Sequence, residues 1–229
     1  MEHIILIEKY ISVLLESKIH SLIIKSAPGL GKTTAVLDTV KRMGLVEGRH
    51  FMFYTGYMTP LKMYEALLMS RTLENPKLLI FDDLDNLIKN KTSLALLKGA
   101  LSEARGKRVV SYESNLKSIE TKSFDFEGKV IMIINDINIS KDLEPLFDRG
   151  IFYNVEVDKD LLTKHIETDV LNKYDSVQPK ERLAVWIKIK RFVQYPNFSL
   201  RMLDKAFQFY KHDKENWYNM FMKIINIKK

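Results

Sequence analysis

The sequence predicts an α/β protein: a five-stranded parallel sheet flanked by helices, followed by a small all-helical C-terminal unit. Two observations carry this. Through residue 157, short apolar, β-branched runs alternate with stretches of helical periodicity, the pattern of strands joined by crossover helices. From Asp158 onward only helical periodicity remains, interrupted by polar or proline-containing breaks. The implied division is 1–157 for the α/β core and 158–229 for the helical unit.

The elements follow in order. "MEHIILIEKYISVLLESKIH" alternates charges with apolar residues, which makes it an amphipathic helix and not a signal peptide. "HSLIIK" (20–25) is a strand, and "KTTAVLDTVKRMG" is a helix that stops at Gly44. "RHFMFYT" (49–55) is the second strand, and "TPLKMYEALLMSR" (59–71) opens with Thr then Pro, a favoured helix start. "KLLIFDD" (77–83) is continuously apolar until its end, as a strand buried on both faces should be. "TSLALLKGALSEAR" (92–105) is a helix, and "KVIMIIND" (129–136) and "GIFYNVEV" (150–157) are the last two strands.

Between that helix and the fourth strand, "KRVVSYESN" and "TKSFDFEG" alternate like strands about a polar tip, predicting a β-hairpin inserted at about 107–128. Beyond Asp158, "DKDLLTKHIETDVLNKY", "PKERLAVWIKIKRFVQY", "SLRMLDKAFQFYKH" and "KENWYNMFMKIINIKK" each read as a helix, with Trp186 and Trp217 as core residues.

Composition narrows the class. Hydrophobic residues at 46% and charged residues at 28% suit a globular chain, and no apolar run reaches the length of a membrane span. With no cysteine there are no disulfides or thiolate metal sites, which fits a cytoplasmic protein. The five histidines have no metal-ligand spacing. The net charge of +7 is uneven: residues 1–157 carry 21 basic and 20 acidic side chains, whereas 158–229 carry 15 and 9. Such an excess suits contact with nucleic acid or an acidic protein, and equally a solvated lysine-rich surface.

The chemistry starts at "IIKSAPGLGKTT" (23–34), a strand, a glycine-containing turn and then Gly31-Lys32-Thr33 opening a helix. Ala27, Pro28, Gly29, Leu30, Gly31, Lys32, Thr33 and Thr34 form a stretch suited to cradle phosphates through backbone N–H groups, with Pro28-Gly29 and Gly31 supplying the tight turn. Lys32 would neutralise β- and γ-phosphate oxygens, and Thr33 would ligate Mg²⁺. "LLIFDDLD" supplies the second part. Asp82 ends a buried strand and can hold the magnesium and its water shell, and Asp83 can act as general base on water. The bland alternative is that Asp83 or Asp85 caps the following short helix.

Taken together the parts resemble the AAA+ ATPases. "SAPGLGKTT" is similar to that family's phosphate loop and "LLIFDDLD" to its acidic strand. "VIMIIND" ends in Asn135, at the family's sensor-1 position. "LEPLFDRGIF" resembles the arginine-finger segment and puts Arg149 in that role, and "NFSLRML" puts Arg201 at sensor 2. The resemblance covers essentially the whole chain and identifies the helical unit as the family's lid. It implies ATP and Mg²⁺ as ligands, Asp83, Asn135, Arg149 and Arg201 as catalytic groups, and a homo-oligomer, hexameric ring or open helix, in which Arg149 serves the neighbouring subunit. Two departures stand out: Ser26 replaces the loop's first glycine, and Asp83 replaces the usual glutamate.

For the substrate, the first expectation is DNA, as a helicase, helicase loader or replication factor of a virus, phage or plasmid. Related viral helicases carry a hairpin before the sensor-1 strand. Lys117 and Lys122 near its tip, with Lys188, Lys190 and Arg191 on the lid, would meet phosphates. The alternative is a protein-remodelling ATPase, with Tyr57-Met58 as a substrate-gripping pair, or a slow ATP-dependent assembly switch arising from Asp83. Because the core begins near residue 20, recruitment by a protein partner is expected in either case.

Overall fold

A computed structural model describes residues 2–113, 121–135, 144–156, 158–196 and 198–225. In chain order these form α1 (Glu2–Glu16), β1 (Ser21–Lys25), α2 (Lys32–Arg42), β2 (Phe51–Thr55), α3 (Pro60–Met69), β3 (Leu78–Asp82), α4 (Asp85–Lys89), α5 (Lys91–Leu101), β4 (Val109–Ser111), β5 (Ser123–Asp125), β6 (Lys129–Ile134), α6 (Glu144–Phe147), β7 (Ile151–Asn154), α7 (Lys159–His165), α8 (Pro179–Ile189), α9 (Leu200–His212) and α10 (Trp217–Ile224).

Local chemistry accounts for several boundaries. Thr59 accepts from Lys62 N at 3.2 Å ahead of Pro60, and Asn90 accepts from Thr92 N and Ser93 N to start α5. Asp158 does the same for α7 through Asp160 N and Leu161 N. After α2, Gly44 turns left-handed and Leu45 N closes back onto Val40 O at 3.1 Å, satisfying a carbonyl the helix end would leave bare.

The five predicted strands form one all-parallel sheet in the order β2-β3-β6-β1-β7. β3 is buried along its whole length and β6 in all but its first residue, as strands covered on both faces must be. The order brings the carboxyl ends of β3, β6 and β1 side by side, where open α/β sheets carry their ligands.

Packing divides the chain into two units. One comprises Ile4–Ser26 and Lys32–Val155, and the other Met1–His3, Ala27–Gly31 and Glu156–Lys229. The first is organised around Leu79, Phe81, Val130 and Met132 of the sheet with Met63, Leu67 and Leu97 of α3 and α5. The inserted hairpin belongs to it: β4 and β5 pair antiparallel, with Val110 opposite Phe124. Both side chains are buried, so the base of the hairpin is part of the core. Its tip, with Lys117, lies outside the described residues.

One buried cation pins this base. Arg108 Nη1 donates to Ala100 O at 3.1 Å and Gly128 O at 2.8 Å, and its guanidinium lies 5.1 Å from the centre of the Phe126 ring. A lysine acts similarly. Lys129 Nζ donates to Leu14 O, Ser17 O and Ile19 O, closing the carboxyl end of α1 onto the first residue of β6.

The helical unit packs Trp186, Val185 and Ile189 of α8 with Leu203 and Phe207 of α9 and Trp217 and Phe221 of α10. Two stretches read as single helices change pitch. α7 passes into a π-turn at Ile166–Val170 and a 3-10 turn at Leu171–Lys173, and α8 into a 3-10 stretch at Lys190–Gln194. The accepting carbonyl shifts by one residue from 3-10 to α and by one more from α to π, and Leu162, Ile166, Val170 and Leu171 stay buried throughout. Apolar spacing therefore does not distinguish them. Among the described residues no helix is long and apolar enough to cross a membrane.

Candidate nucleotide site

The glycine turn follows β1, and its backbone explains which positions need glycine. Gly29 and Gly31 have φ of 76° and 79°, values that residues with a side chain rarely adopt. Ser26 lies outside that left-handed region. The substituted position therefore has no need of a glycine, and its buried serine follows β1 without disturbing the turn. Ser26 N donates to Ile134 O at 3.3 Å, continuing the β1–β6 pairing one step beyond the strand.

Within the sheet unit, Lys32 is buried at the start of α2, and its Nζ donates to Ser26 O at 2.9 Å. The cation is thus folded over the end of β1. Next to it, Thr33 Oγ1 donates to Asp82 at 3.0 Å from Oδ1 and 2.9 Å from Oδ2. The pair joins the amino end of α2 to the carboxyl end of β3. Among the described residues no group of three or more His, Cys, Asp or Glu could hold a metal ion. A hydroxyl beside one carboxylate is instead a hard-oxygen pair of the kind Mg²⁺ takes when phosphates and water complete its shell. The residues fit that ion.

Asp83 is exposed and stands in the left-handed region at φ 53°. Its amide donates to Ile133 O at 3.1 Å, and its Oδ1 accepts from Asn135 Nδ2 at 2.8 Å. The turn points Asp83 away from the buried strand and onto the residue that follows β6. Aspartate tolerates this conformation better than most side chains because of its short polar group. Neither Asp83 nor Asp85 caps α4: its cap position is Leu84, with no side-chain bond.

Within the helical unit, the turn residues Ala27–Gly31 pack against side chains of its helices. Leu30 is buried in the same cluster as Leu162 and Phe198, and Ala27 lies against it. The amino end of α9 meets the loop directly, with Leu200 N donating to Gly29 O at 3.0 Å. A Cβ on residue 29 would lie 2.5 Å from Ser199 Cβ, so the position is closed to side chains on two counts. Arg201, exposed, is the second residue of this helix. Pro28 and Thr34 are exposed.

Arg149 is exposed in the turn after α6 and, among the described residues, forms no ion pair with Glu144 or Asp148. The cations at the end of α8 do have partners. Lys190 pairs with Glu167 at 2.8 Å, Arg191 Nη2 donates to Tyr218 Oη at 2.6 Å, and Lys188 Nζ lies 5.5 Å and 5.4 Å from the Trp217 and Tyr218 rings. Lys122 is exposed beside β5. Tyr57 is 79% exposed, whereas Met58 is buried and its carbonyl accepts from Asn86 at 2.6 Å.

Sequence reasoning missed Ser199, the Ser26 carbonyl, Arg108 and Lys129. No local motif marks them: Ser199 and Lys129 act on residues distant along the chain, and the Ser26 and Arg108 contacts form only once the segments between the partners have folded.

No family model matches the sequence. A curated protein of Enterobacteria phage T4, described as an uncharacterized 36.7 kDa protein in the nrdC-mobD intergenic region, is 26% identical over 227 residues, covering 89% of this chain and 67% of its own. Among solved structures, the Thermotoga maritima RuvB Holliday junction branch migration motor superposes with a TM-score of 0.55 at 14% identity, over 100% of this chain and 70% of that one. A single-residue variant of the same RuvB gives 0.56 at 14% identity, over 99% and 68%. With the parallel sheet order, the glycine turn after β1 and the acidic end of β3, these likenesses show that the chain has the fold of the RuvB motor, which is the AAA+ fold.

Proposed function

We propose that this chain binds ATP with Mg²⁺ and hydrolyses it as a homo-oligomer that acts on DNA, as a helicase, helicase loader or replication factor of a virus, phage or plasmid. The observation that carries the reading is the meeting of Lys32, Thr33, Asp82, Asp83 and Asn135 at the adjoining carboxyl ends of β1, β3 and β6. Residues 27–34 would hold the phosphates, with Lys32 leaving the Ser26 carbonyl to neutralise them. Thr33 and Asp82 would hold Mg²⁺, which supplies charge stabilisation to the transferring phosphoryl group when bound. Asp83 accepts a proton from water, and Asn135 fixes the orientation of that carboxylate.

Residues 1–157 serve in this reading as the nucleotide-binding core and 158–229 as the lid, with Arg201 reaching nucleotide from α9. Arg149, exposed and without an ion-pair partner among the described residues, suits a finger offered to a neighbouring subunit, in a hexameric ring or open helix. DNA as substrate is supported by the fold shared with the RuvB Holliday junction motor, and a phage setting by the phage T4 relative. A protein-remodelling ATPase is the second reading, favoured by the exposure of Tyr57.

The test is ATPase rate against protein concentration, with and without single-stranded and duplex DNA. A rate that rises faster than linearly, is stimulated by DNA, and is lost in both Lys32→Ala and Arg149→Ala is expected. Stimulation by unfolded protein, abolished by Tyr57→Ala, would favour the second reading. Nucleotide-dependent assembly without turnover would leave an ATP switch.

A further inference from the structure

Helix α8 buries Val185, Trp186 and Ile189 in the core of the helical unit. Its opposite side carries Lys180, Leu183, Ala184 and Ile187, spaced three and four residues apart along one stripe. Leu183 is 52% exposed and Ile187 66%. A single exposed aliphatic residue needs no explanation. Here two lie one turn apart with Ala184 beside them, a continuous apolar strip facing solvent.

Cations bound the strip at both ends: Lys180 at its start, and Lys188, Lys190 and Arg191 at its close. Glu181 is drawn away to Lys214 at 2.6 Å, whereas Glu167 pairs with Lys190 and the Trp186 indole, so Lys190 is already matched and Lys180, Lys188 and Arg191 are the cations that flank the strip. Contacts of Lys188 and Arg191 with Trp217 and Tyr218 hold the far end in place, so little side-chain freedom remains to be lost on binding.

A nucleic-acid backbone is a poor match, because it would cover the cations and leave Leu183 and Ile187 in water. The strip is aliphatic and lacks the aromatic rings on which single-stranded bases stack. We infer that this face of α8 docks an acidic amphipathic helix of a partner protein. Apolar side chains of that helix, one turn apart, cover Leu183 and Ile187, and its flanking carboxylates meet Lys180, Lys188 and Arg191. The inference is independent of the nucleotide reading.

Fluorescence anisotropy on the full chain tests it. The probe is a labelled helical peptide of about 16 residues with leucines one turn apart on one face and glutamates beside them. The control has the same composition with the leucines scattered round the helix. A labelled oligothymidine serves as the nucleic-acid arm. The patterned peptide should bind at least about tenfold tighter than the scattered one, and less tightly in high salt. Leu183→Ser with Ile187→Ser should weaken it by about tenfold or more, and Lys180→Glu should weaken it further at low salt. Melting temperature, oligomeric state and oligothymidine binding should be unchanged. Equal affinity for the two peptides, or none for either, would overturn the inference. So would a double variant that loses oligothymidine binding, which would make the face a nucleic-acid surface, or one that changes the oligomeric state, which would assign it to a second copy.

Discussion

Asn135 donates from Nδ2 to Asp83 Oδ1 at 2.8 Å, tying the residue after β6 to the residue after β3. The two strands are hydrogen-bonded neighbours, with Asp82 paired to Ile133, so the bond spans the edge of a rigid sheet. Asparagine here orients the carboxylate. Under the nucleotide reading, Asn135→Ala should lower ATP turnover by about a hundredfold, since a misplaced catalytic group costs about that much. Affinity for a non-hydrolysable ATP analogue should hardly change. Single-turnover and binding measurements separate the two.

Asp83 pays for its position in backbone conformation. A non-glycine residue at φ 53° carries strain of roughly 1 kcal/mol or more. Asp83→Gly should therefore raise the urea midpoint slightly, or leave it level once the looser unfolded chain is counted. Asp83→Ala, which keeps the strain and loses the polar side chain, should lower the midpoint. Both should abolish turnover.

Gly29 is restricted by its own φ of 76° and by Ser199. Gly29→Ala should destabilise the chain by roughly 1–3 kcal/mol. Ser199→Gly in the same chain should recover part of that loss by removing the 2.5 Å collision, while the φ strain stays. A double-mutant cycle by chemical denaturation measures the coupling, which should be favourable for the paired change.

Arg108 holds two carbonyls at the base of the hairpin. Arg108→Ala leaves Ala100 O and Gly128 O unsatisfied and opens space beside Phe126. The loss should be about 2–4 kcal/mol. Hydrogen exchange should show protection falling first at Tyr112 and Phe126, whose amides bond across the hairpin.

His3, His20 and His165 are all held below the ordinary histidine value of 6.5, chiefly by burial. A lowered folded-state pKa means that the unfolded chain takes up protons first. Stability is therefore full above 6.5 and declines as pH falls below it. The urea midpoint should drop between about pH 7.5 and about pH 5.5. His3→Gln, which does not titrate there, should make that decline shallower.

Much of this protein was legible in one dimension. The β-branched runs of β1, β3 and β6, the glycine turn, and the two carboxylates ending β3 are signals confined to a few adjacent residues. Strand period, turn conformation and the desolvation cost of a carboxylate are local physics. The same physics identified Trp186 and Trp217 as core. Tertiary structure alone decided the rest. Insertion of β1 between β6 and β7 brings Ser26, Asp82 and Asn135 to one edge, although they are 53 to 109 positions apart in the chain. Likewise, Ser199 closes position 29 to any side chain, Arg108 reaches Gly128, and Lys129 reaches the end of α1. Each depends on chain segments that meet only after folding, when burial makes an unmet carbonyl or a misplaced methyl group costly. A pattern read along the chain holds no record of those meetings.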